Sequence, residues 1–227
     1  MTEPRDLIDA VRRLARATRV ADLDGLDLAE DVTSLTQLAE RIEAAAVDEP
    51  RMQAALTHAD MAERFATAMQ SGVEGRAERA RDVGFAGFFP YSPYVGPLNA
   101  LAAPIEFRVV EAEPWNEIHA EHRFDPITNG PPGGVHGGMI AGVFDELLGC
   151  VCVLNDVAGF TGTLSIRYRS LTPIEAPIAM RGWVDRVEGR KTFAKGTFHH
   201  DGTLCAEAEG IFIGTDATVT PAQRSGD

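Results

Sequence analysis

The sequence is short of cysteine and of basic residues, and both shortages narrow the classes of protein to which it can belong. Three cysteines in 227 residues are too few for a disulfide framework, so we expect small core residues and no metal cluster. Lys and Arg number 21 against 34 Asp and Glu, for a net charge of −13. Because such a chain repels nucleic acid and anionic membranes, neither is expected as a partner.

Signals for export and for membrane insertion are also missing. The first residues, Met1–Asp6, lack the basic-then-apolar pattern of a signal peptide. No apolar run approaches the roughly 18 residues that a membrane-spanning helix needs. We therefore expect a cytoplasmic protein without a membrane span.

The N-terminal third predicts helices and contains no chemical motif. Residues 1–83 repeat apolar side chains at helical spacing, which predicts a helical N-terminal extension. Ser34 followed by Gln37 resembles a capping box and predicts a helix start there, and Pro50 fits the first turn of another helix. The extension could cap the main domain, extend a subunit interface or shape a ligand channel, and the sequence leaves these roles open.

Residues 84–104 form a connector rich in glycine, proline and aromatic side chains. This composition resists both helix and strand. Because a plain linker would not be so aromatic, we expect the connector to lie across a surface. It serves there either as structural packing or as a lid over a ligand channel.

Residues 105–214 predict an α+β domain of about six antiparallel strands and one long helix. Glu188-Gly189 and Asp201-Gly202 are hairpin-turn signals between the last three strands. The small, polar tail over residues 215–227 is expected to fray. The predicted strands lie at about 105–112, 115–124, 160–171, 177–187, 190–200 and 203–214, and the helix at about 137–154.

One side of the predicted helix carries small residues around an acid. Gly138, Gly142, Asp145 and Gly149 recur at spacings of three or four, so they share a face. Each interior glycine costs roughly 0.5–1 kcal/mol relative to alanine, so a ligand or a second helix must approach closely. The alternative is close helix packing, with Asp145 as a hydrogen-bonded structural acid. Glu146 is the substitute acid if the register is misread.

A glycine-rich turn over residues 131–138 opens this helix. The amide of Gly137 or Gly138 can bind an oxyanion there, where the helix dipole favours negative charge. His136 could steady the turn, polarise a carbonyl or be a satisfied histidine. Because an acid two turns further on can direct water, the combination indicates a hydrolytic site for an acyl compound.

The motif Val135–Gly138, with Asp145 nine residues after the histidine, resembles the hotdog-fold acyl-CoA thioesterase superfamily. The likeness continues through Thr161–Tyr168 and Val187–Lys191, spans about residues 105–214, and is closest to the phenylacetate-pathway type, related to 4-hydroxybenzoyl-CoA thioesterases. The resemblance implies a sheet wrapped around the long helix. It also implies a homodimer or homotetramer in which each active site lies between two subunits.

The resemblance also implies a role for each matching residue. Asp145 would activate water or attack the thioester, and the amide of Gly138, or less favourably that of Gly137, would bind the thioester oxygen. His136 would orient that loop, and Thr161 would hold the water or the acid. The basic turn residues Arg190 and Lys191 would contact the phosphates of CoA.

The substrate would be a CoA thioester, with no cofactor and no metal. His119, Glu121 and His122 alternate along a strand and do not all face one ion. Thioester hydrolysis is the leading hypothesis. One alternative is a hotdog-fold enoyl-thioester hydratase or dehydratase. Another is a non-catalytic acyl-CoA-binding module, which the additional helices would suit.

Overall fold

The computed structural model describes residues 4–20, 28–48, 76–90, 92–97, 99 and 103–214. The helix expected after Pro50 and the tail over residues 215–227 lie outside these residues. The chain divides into two compact units, one of residues 21–72 and the other of residues 1–20 together with 73–227. The boundary therefore differs from the expected single extension over residues 1–83, because the first helix belongs to the same unit as the sheet.

Helix α1, Pro4–Val20, contacts the connector through hydrogen bonds of Arg12. The Arg12 guanidinium donates to the carbonyl oxygens of Gly96 at 3.4 Å and Pro97 at 3.2 Å, and also to that of Asn99. Because backbone carbonyls in a loop need donors, Arg12 of α1 adds to the one internal bond that the Gly96 carbonyl accepts, from the Asn99 amide at 3.3 Å.

Helix α2, Ala29–Asp48, forms the described part of the smaller unit. It begins before Ser34, so the prediction of a helix start at that residue was wrong. Hydroxyl side chains are accommodated inside this helix, since Thr33 and Thr36 each donate to the carbonyl one turn back at 2.8 Å. A local capping pattern therefore did not mark the N-terminus of this helix.

Helix α3, Arg76–Phe88, extends into the segment that was expected to resist helix. The prediction was wrong for residues 84–88. Gly84 takes φ 66° and ψ 166°, a conformation open mainly to glycine, so the helix kinks there and then resumes. The rest of the connector forms turns over the described residues 92–97.

The six strands form one antiparallel sheet in the order β1-β2-β4-β5-β6-β3, which confirms the α+β prediction. The first strand is shorter than expected, because the amide of Ile105 donates instead to the carbonyl of Tyr94 at 2.8 Å. The strands are β1 Arg108–Val110, β2 Glu117–Arg123, β3 Phe160–Tyr168, β4 Pro177–Glu188, β5 Lys191–His200 and β6 Thr203–Ile213.

Both predicted hairpin turns are confirmed. Gly189, between β4 and β5, has φ 56°. Asp201 and Gly202, between β5 and β6, have φ 46° and 77°. Two successive residues with positive φ suit a two-residue turn that matches the twist of its strands.

Helix α4, Gly137–Leu154, packs its apolar face on the sheet. Phe144, Leu147, Leu148 and Val151 are fully buried, as their helical spacing predicted. The ring of Phe144 stacks on that of Phe198 in β5, with centroids 4.0 Å apart. This contact fixes which face of α4 remains for chemistry, because the buried stripe cannot rotate outward without exposing these side chains.

The three cysteines are buried and free, as expected of core residues. Burial raises the pKa of the Cys150 and Cys152 thiols, which keeps them protonated and inert. By length and composition alone α4 could cross a bilayer, contrary to the expectation that no segment approaches that size. Such helices also form domain cores, and α4 is mostly buried against the sheet.

Candidate active site

The N-terminus of α4 is capped by the histidine of the glycine-rich turn. His136 has φ −61° and ψ 132°, outside the helix, and its Nδ1 accepts a hydrogen bond from the Gly138 amide at 3.0 Å. The Gly138 N–H is therefore engaged in the cap. The Gly137 N–H has no hydrogen-bond partner among the described residues. The open donor thus lies one residue before the one that the resemblance favoured.

Tyr168, the last residue of β3, packs over this first turn. Its hydroxyl donates to the Gly137 carbonyl at 2.8 Å. A Cβ added to Gly137 would lie 3.4 Å from the Tyr168 hydroxyl oxygen. The contact ties the helix start to the edge strand. Its only signal in the sequence was the alternation of β3, which gives a facing direction and no partner.

Asp145 lies on the exposed side of α4 and meets Thr161 of β3. The Thr161 hydroxyl donates to Oδ1 of Asp145 at 2.8 Å. This bond orients the carboxylate of an exposed residue. An acid held by one donor and exposed to water is suited to general-base or nucleophilic chemistry. The structure brings together the two residues that the resemblance paired.

The amide and the acid lie about two turns apart on α4. Asp145 is eight positions after Gly137, which is about 12 Å along the axis at 1.5 Å per residue. Gly142 lies at an intermediate height along the axis. A single thioester carbonyl cannot contact both groups directly over that length, so one chain presents two half-sites.

The space above Gly142 is filled by Tyr94 of the connector. A Cβ on Gly142 would stand 1.8 Å from the Tyr94 hydroxyl oxygen and 2.4 Å from Cζ. Only glycine permits this approach. The glycine stripe predicted a ligand or a second helix, and at Gly142 the approaching group is instead an aromatic side chain of the same chain. Burial, and then the charges of Glu146 and Asp145, raise the pKa of Tyr94.

Glu146, the substitute acid, faces the connector. Burial raises the pKa of its carboxyl, while a hydrogen bond with Ser92 lowers it and the charge of Asp145 raises it further. A half-buried carboxyl bonded to a turn serine is a packing contact. The exposed acid of the pair is Asp145, as the helical register predicted.

The basic residues Arg190 and Lys191 are exposed at the turn between β4 and β5. Lys191 is in register with Ile213, and Ile213 with Phe160, so the turn lies at the same end of the sheet as Thr161. Two strand spacings separate them, about 10 Å. Thr161 is in register with Phe212 and Thr192, and Lys191 is the residue before Thr192. Because successive side chains of a strand point to opposite faces, the Lys191 side chain lies on the face of the sheet opposite to that of Thr161. One chain does not bring these basic residues to Asp145.

The alternating strand residues also separate as expected. His119 contacts Glu117 at 2.8 Å on one face of β2. His122 lies on the other face, where burial lowers its pKa. Arg181 donates to Glu117 at 2.6 and 2.7 Å and, as the main cause, lowers the pKa of Glu117 to about 2. Within the described part of the chain no group of His, Cys, Asp or Glu could hold a metal ion.

Comparisons with known proteins agree on one class. No protein-family model matches the chain. It is 33% identical over 90 residues to acyl-coenzyme A thioesterase THEM4 of Xenopus laevis, covering 39% of this chain and 40% of the relative. It is 31% identical over 86 residues to acyl-coenzyme A thioesterase THEM5 of Homo sapiens, covering 37% and 35%. The chain thus spans well under half the length of these curated relatives.

A solved structure extends the likeness over nearly the whole chain. The crystal structure of a thioesterase superfamily protein superposes with a TM-score of 0.71 at 27% identity and covers 93% of this chain and 95% of that one. The long helix on a six-stranded antiparallel sheet is thus the hotdog architecture. In fold the chain is similar to a thioesterase superfamily protein, and over about 90 residues its sequence is similar to acyl-coenzyme A thioesterases.

Proposed function

We propose that the protein hydrolyses acyl-CoA thioesters to a free acid and CoA. The observation that carries this proposal is the exposed Asp145 held by Thr161 at 2.8 Å, on a helix whose N-terminus offers a free amide. The curated relatives named as acyl-coenzyme A thioesterases support it. The chemistry needs an acid, water and a hydrogen-bond donor, so the proposal includes no cofactor and no metal.

In this mechanism Asp145 accepts a proton from water while the water oxygen attacks the thioester carbonyl carbon. The carbonyl oxygen becomes an oxyanion and is stabilised by the amide at the start of α4, where the helix dipole adds to the hydrogen bond. The C–S bond then breaks, the carbonyl re-forms, and CoA leaves as a thiolate that takes up a proton. Oδ2 of Asp145 is equally placed to attack directly, which would form an anhydride that water then opens.

The two half-sites support a site shared between subunits. In one chain the Gly137 amide and Asp145 are about 12 Å apart along the axis of α4, too far for one thioester carbonyl to contact both. A second copy would supply the amide that complements Asp145. The edge strand β3 bears exposed Phe160 and Tyr168, and an exposed apolar edge suits pairing with another sheet. We therefore include a homodimer, or a tetramer of two such dimers, in the proposal.

Two further parts of the proposal concern ligand contacts and compartment. Arg190 and Lys191 would bind CoA phosphates in a site completed by the other subunit, because their own chain does not bring them to Asp145. Three free buried cysteines fit a reducing compartment such as the cytoplasm. Within the superfamily, the motifs at Val135–Gly138 and Val187–Lys191 are most like the phenylacetate-pathway type.

The activity is tested by measuring thiol release from a panel of acyl-CoA substrates with the purified protein and with Asp145→Asn. We expect turnover by the wild type and a loss of at least about 10³-fold in the variant, as is usual when the central acid or base is removed. Full activity of Asp145→Asn would remove this acid from the mechanism. Water addition to an enoyl-CoA without thiol release would indicate a hydratase, and tight acyl-CoA binding without turnover would indicate a binding module.

The shared site is tested by co-expressing two inactive variants with different affinity tags. Asp145→Asn removes the acid, and Gly137→Pro removes the amide hydrogen. In a mixed dimer one site has both defects and the other has neither, so random pairing should restore about a quarter of wild-type activity. If acid and amide act within one chain, no mixture of the two variants regains activity.

A further inference from the structure

The turn that carries Tyr94 is fixed to α4 rather than free to move. The Ser92 hydroxyl accepts hydrogen bonds from the amides of Tyr94 at 3.1 Å and Val95 at 3.2 Å. The Tyr94 carbonyl accepts from the Ile105 amide at 2.8 Å, and Ser92 also bonds the half-buried Glu146 of α4. Val95 is fully buried. These contacts hold the Tyr94 ring in one place and favour structural packing over a mobile lid.

A small, mostly apolar cleft, with room for about one water molecule, lies beside Met139 and Val143, whose helical positions put it on the other side of Tyr94 from the row of Asp145. The connector, the first turns of α4 and the end of β2 line it together. Its lining includes Pro93, Tyr94, Ile105, Phe124, Met139 and Val143. The hydroxyl end of Tyr94 stands over Gly142, one turn before Asp145. Tyr94 is therefore at once a wall of the cleft and a neighbour of the acid.

We propose that Tyr94 is a specificity-determining residue that limits acyl-chain length, because its ring closes the way from the reaction centre at Asp145 to the apolar cleft. The inference rests on the proposed thioesterase function. A thioester whose carbonyl lies at Asp145 must direct its acyl chain along an apolar surface. The cleft is such a surface, and the ring on Gly142 separates it from the acid.

The expected effect follows from the burial of methylene groups. Each additional methylene that leaves water contributes about fourfold in binding. Removal of the Tyr94 ring would itself free space for two or three methylene groups beside the cleft, and should therefore favour long chains by more than about tenfold. Short acyl groups that end before the ring gain nothing from its removal. The measured quantity is the ratio of kcat/KM for dodecanoyl-CoA to that for butanoyl-CoA.

Two substitutions displace the Tyr94 ring, one at Tyr94 itself and one at the helix position beneath it. Tyr94→Ala removes the ring, and we expect the ratio to rise at least tenfold. Gly142→Ala places a Cβ 1.8 Å from the present position of the Tyr94 oxygen, so the ring must move and the ratio should shift in the same direction. In the Tyr94→Ala background there is no ring to displace. Gly142→Ala should then add nothing, which identifies the coupling between the two positions.

Tyr94→Phe is the matched control, because it keeps the ring and removes the hydroxyl. Its ratio should stay within about twofold of the wild type, whatever its effect on rate. The concentration of active protein cancels in the ratio of the two kcat/KM values, so a partly unfolded variant still gives a valid chain-length preference. If Tyr94→Ala yields no folded protein, Tyr94→Leu should give an intermediate shift.

The outcomes separate this inference from the function on which it rests. A wild type that releases no thiol from any acyl-CoA refutes the proposed function. A wild type that is active, with the same chain-length ratio in Tyr94→Ala, Tyr94→Leu and Gly142→Ala, refutes the role of Tyr94 alone. A shift in Tyr94→Phe as large as that in Tyr94→Ala would assign the effect to the hydroxyl and would also overturn the steric proposal.

Discussion

Replacing Gly137 by proline removes one amide hydrogen from the helix start and changes little else. Gly137 is the first residue of α4, where proline is favoured because that N–H has no partner within the helix. The residue before a proline must be extended, and His136 already has ψ 132°. The new Cβ would be 3.4 Å from the Tyr168 hydroxyl, an ordinary contact.

If the Gly137 amide binds the oxyanion, Gly137→Pro should lower kcat by about 10²–10³-fold, which corresponds to about 3–4 kcal/mol of transition-state stabilisation. Stability should not fall, since proline at a compatible position gains roughly 0.4–1 kcal/mol through the unfolded chain. The assay is thiol release at saturating acyl-CoA, together with thermal unfolding. A lower kcat with an unchanged or higher Tm would separate chemistry from folding.

Gly137→Ala is the matched control for this prediction. It adds the same Cβ near Tyr168 but keeps the N–H, so its kcat should lie much closer to that of the wild type than to that of the proline variant. If the proline and alanine variants have equal kcat values, the Gly137 amide is not the donor. Gly138, whose N–H is bonded to His136 at 3.0 Å, would then have to be released from the cap during the reaction.

Two further predictions concern hydrogen bonds at opposite ends of the molecule. Thr161→Val removes the 2.8 Å bond to Asp145 and should lower kcat by about tenfold, with Thr161→Ser restoring most of it; equal kcat values for the valine variant and the wild type would contradict the role of this bond. The pKa of Glu117, lowered to about 2 mainly by Arg181, means that its ionised form stabilises the folded state above the usual pKa of 4.5, and this contribution is lost as the pH falls to about 2. Urea unfolding should therefore show a deficit for Glu117→Gln at pH 7 that shrinks between pH 4.5 and 2, and a deficit that is constant over this range would refute the linkage.

Local sequence patterns predicted most of the fold, because turn preferences and the burial of a periodic apolar face depend on residues close together in the chain. Asp201 and Gly202 favour positive φ whatever surrounds them, and the hairpin formed there as expected. The buried stripe of α4, including Phe144 and Leu147, follows from helical periodicity and the burial of apolar area. The pairing of Asp145 with Thr161 came from resemblance, since a separation of sixteen positions along the chain gives no spacing rule.

Long-range contacts were beyond the sequence pattern. The glycines of α4 predicted that some group approaches closely, but composition does not say which one, and Tyr94 reaches Gly142 from a segment that looked irregular. The sequence left the choice between the Gly137 and Gly138 amides open, and the resemblance favoured Gly138, for a similar reason. Whether His136 caps the helix through Gly138 depends on the rotamer of one side chain, and that is decided by the folded surroundings.

The contact of Arg12 with the connector has a consequence for any shortened form of this protein. A chain trimmed to begin after α1 would keep every strand and the whole of α4. It would nevertheless remove the Arg12 donor from the carbonyls of Gly96 and Pro97, of which Gly96 keeps only the Asn99 amide, immediately after the turn that carries Tyr94. If Tyr94 limits the acyl chain as we propose, removal of α1 should change the chain-length preference before it changes the rate.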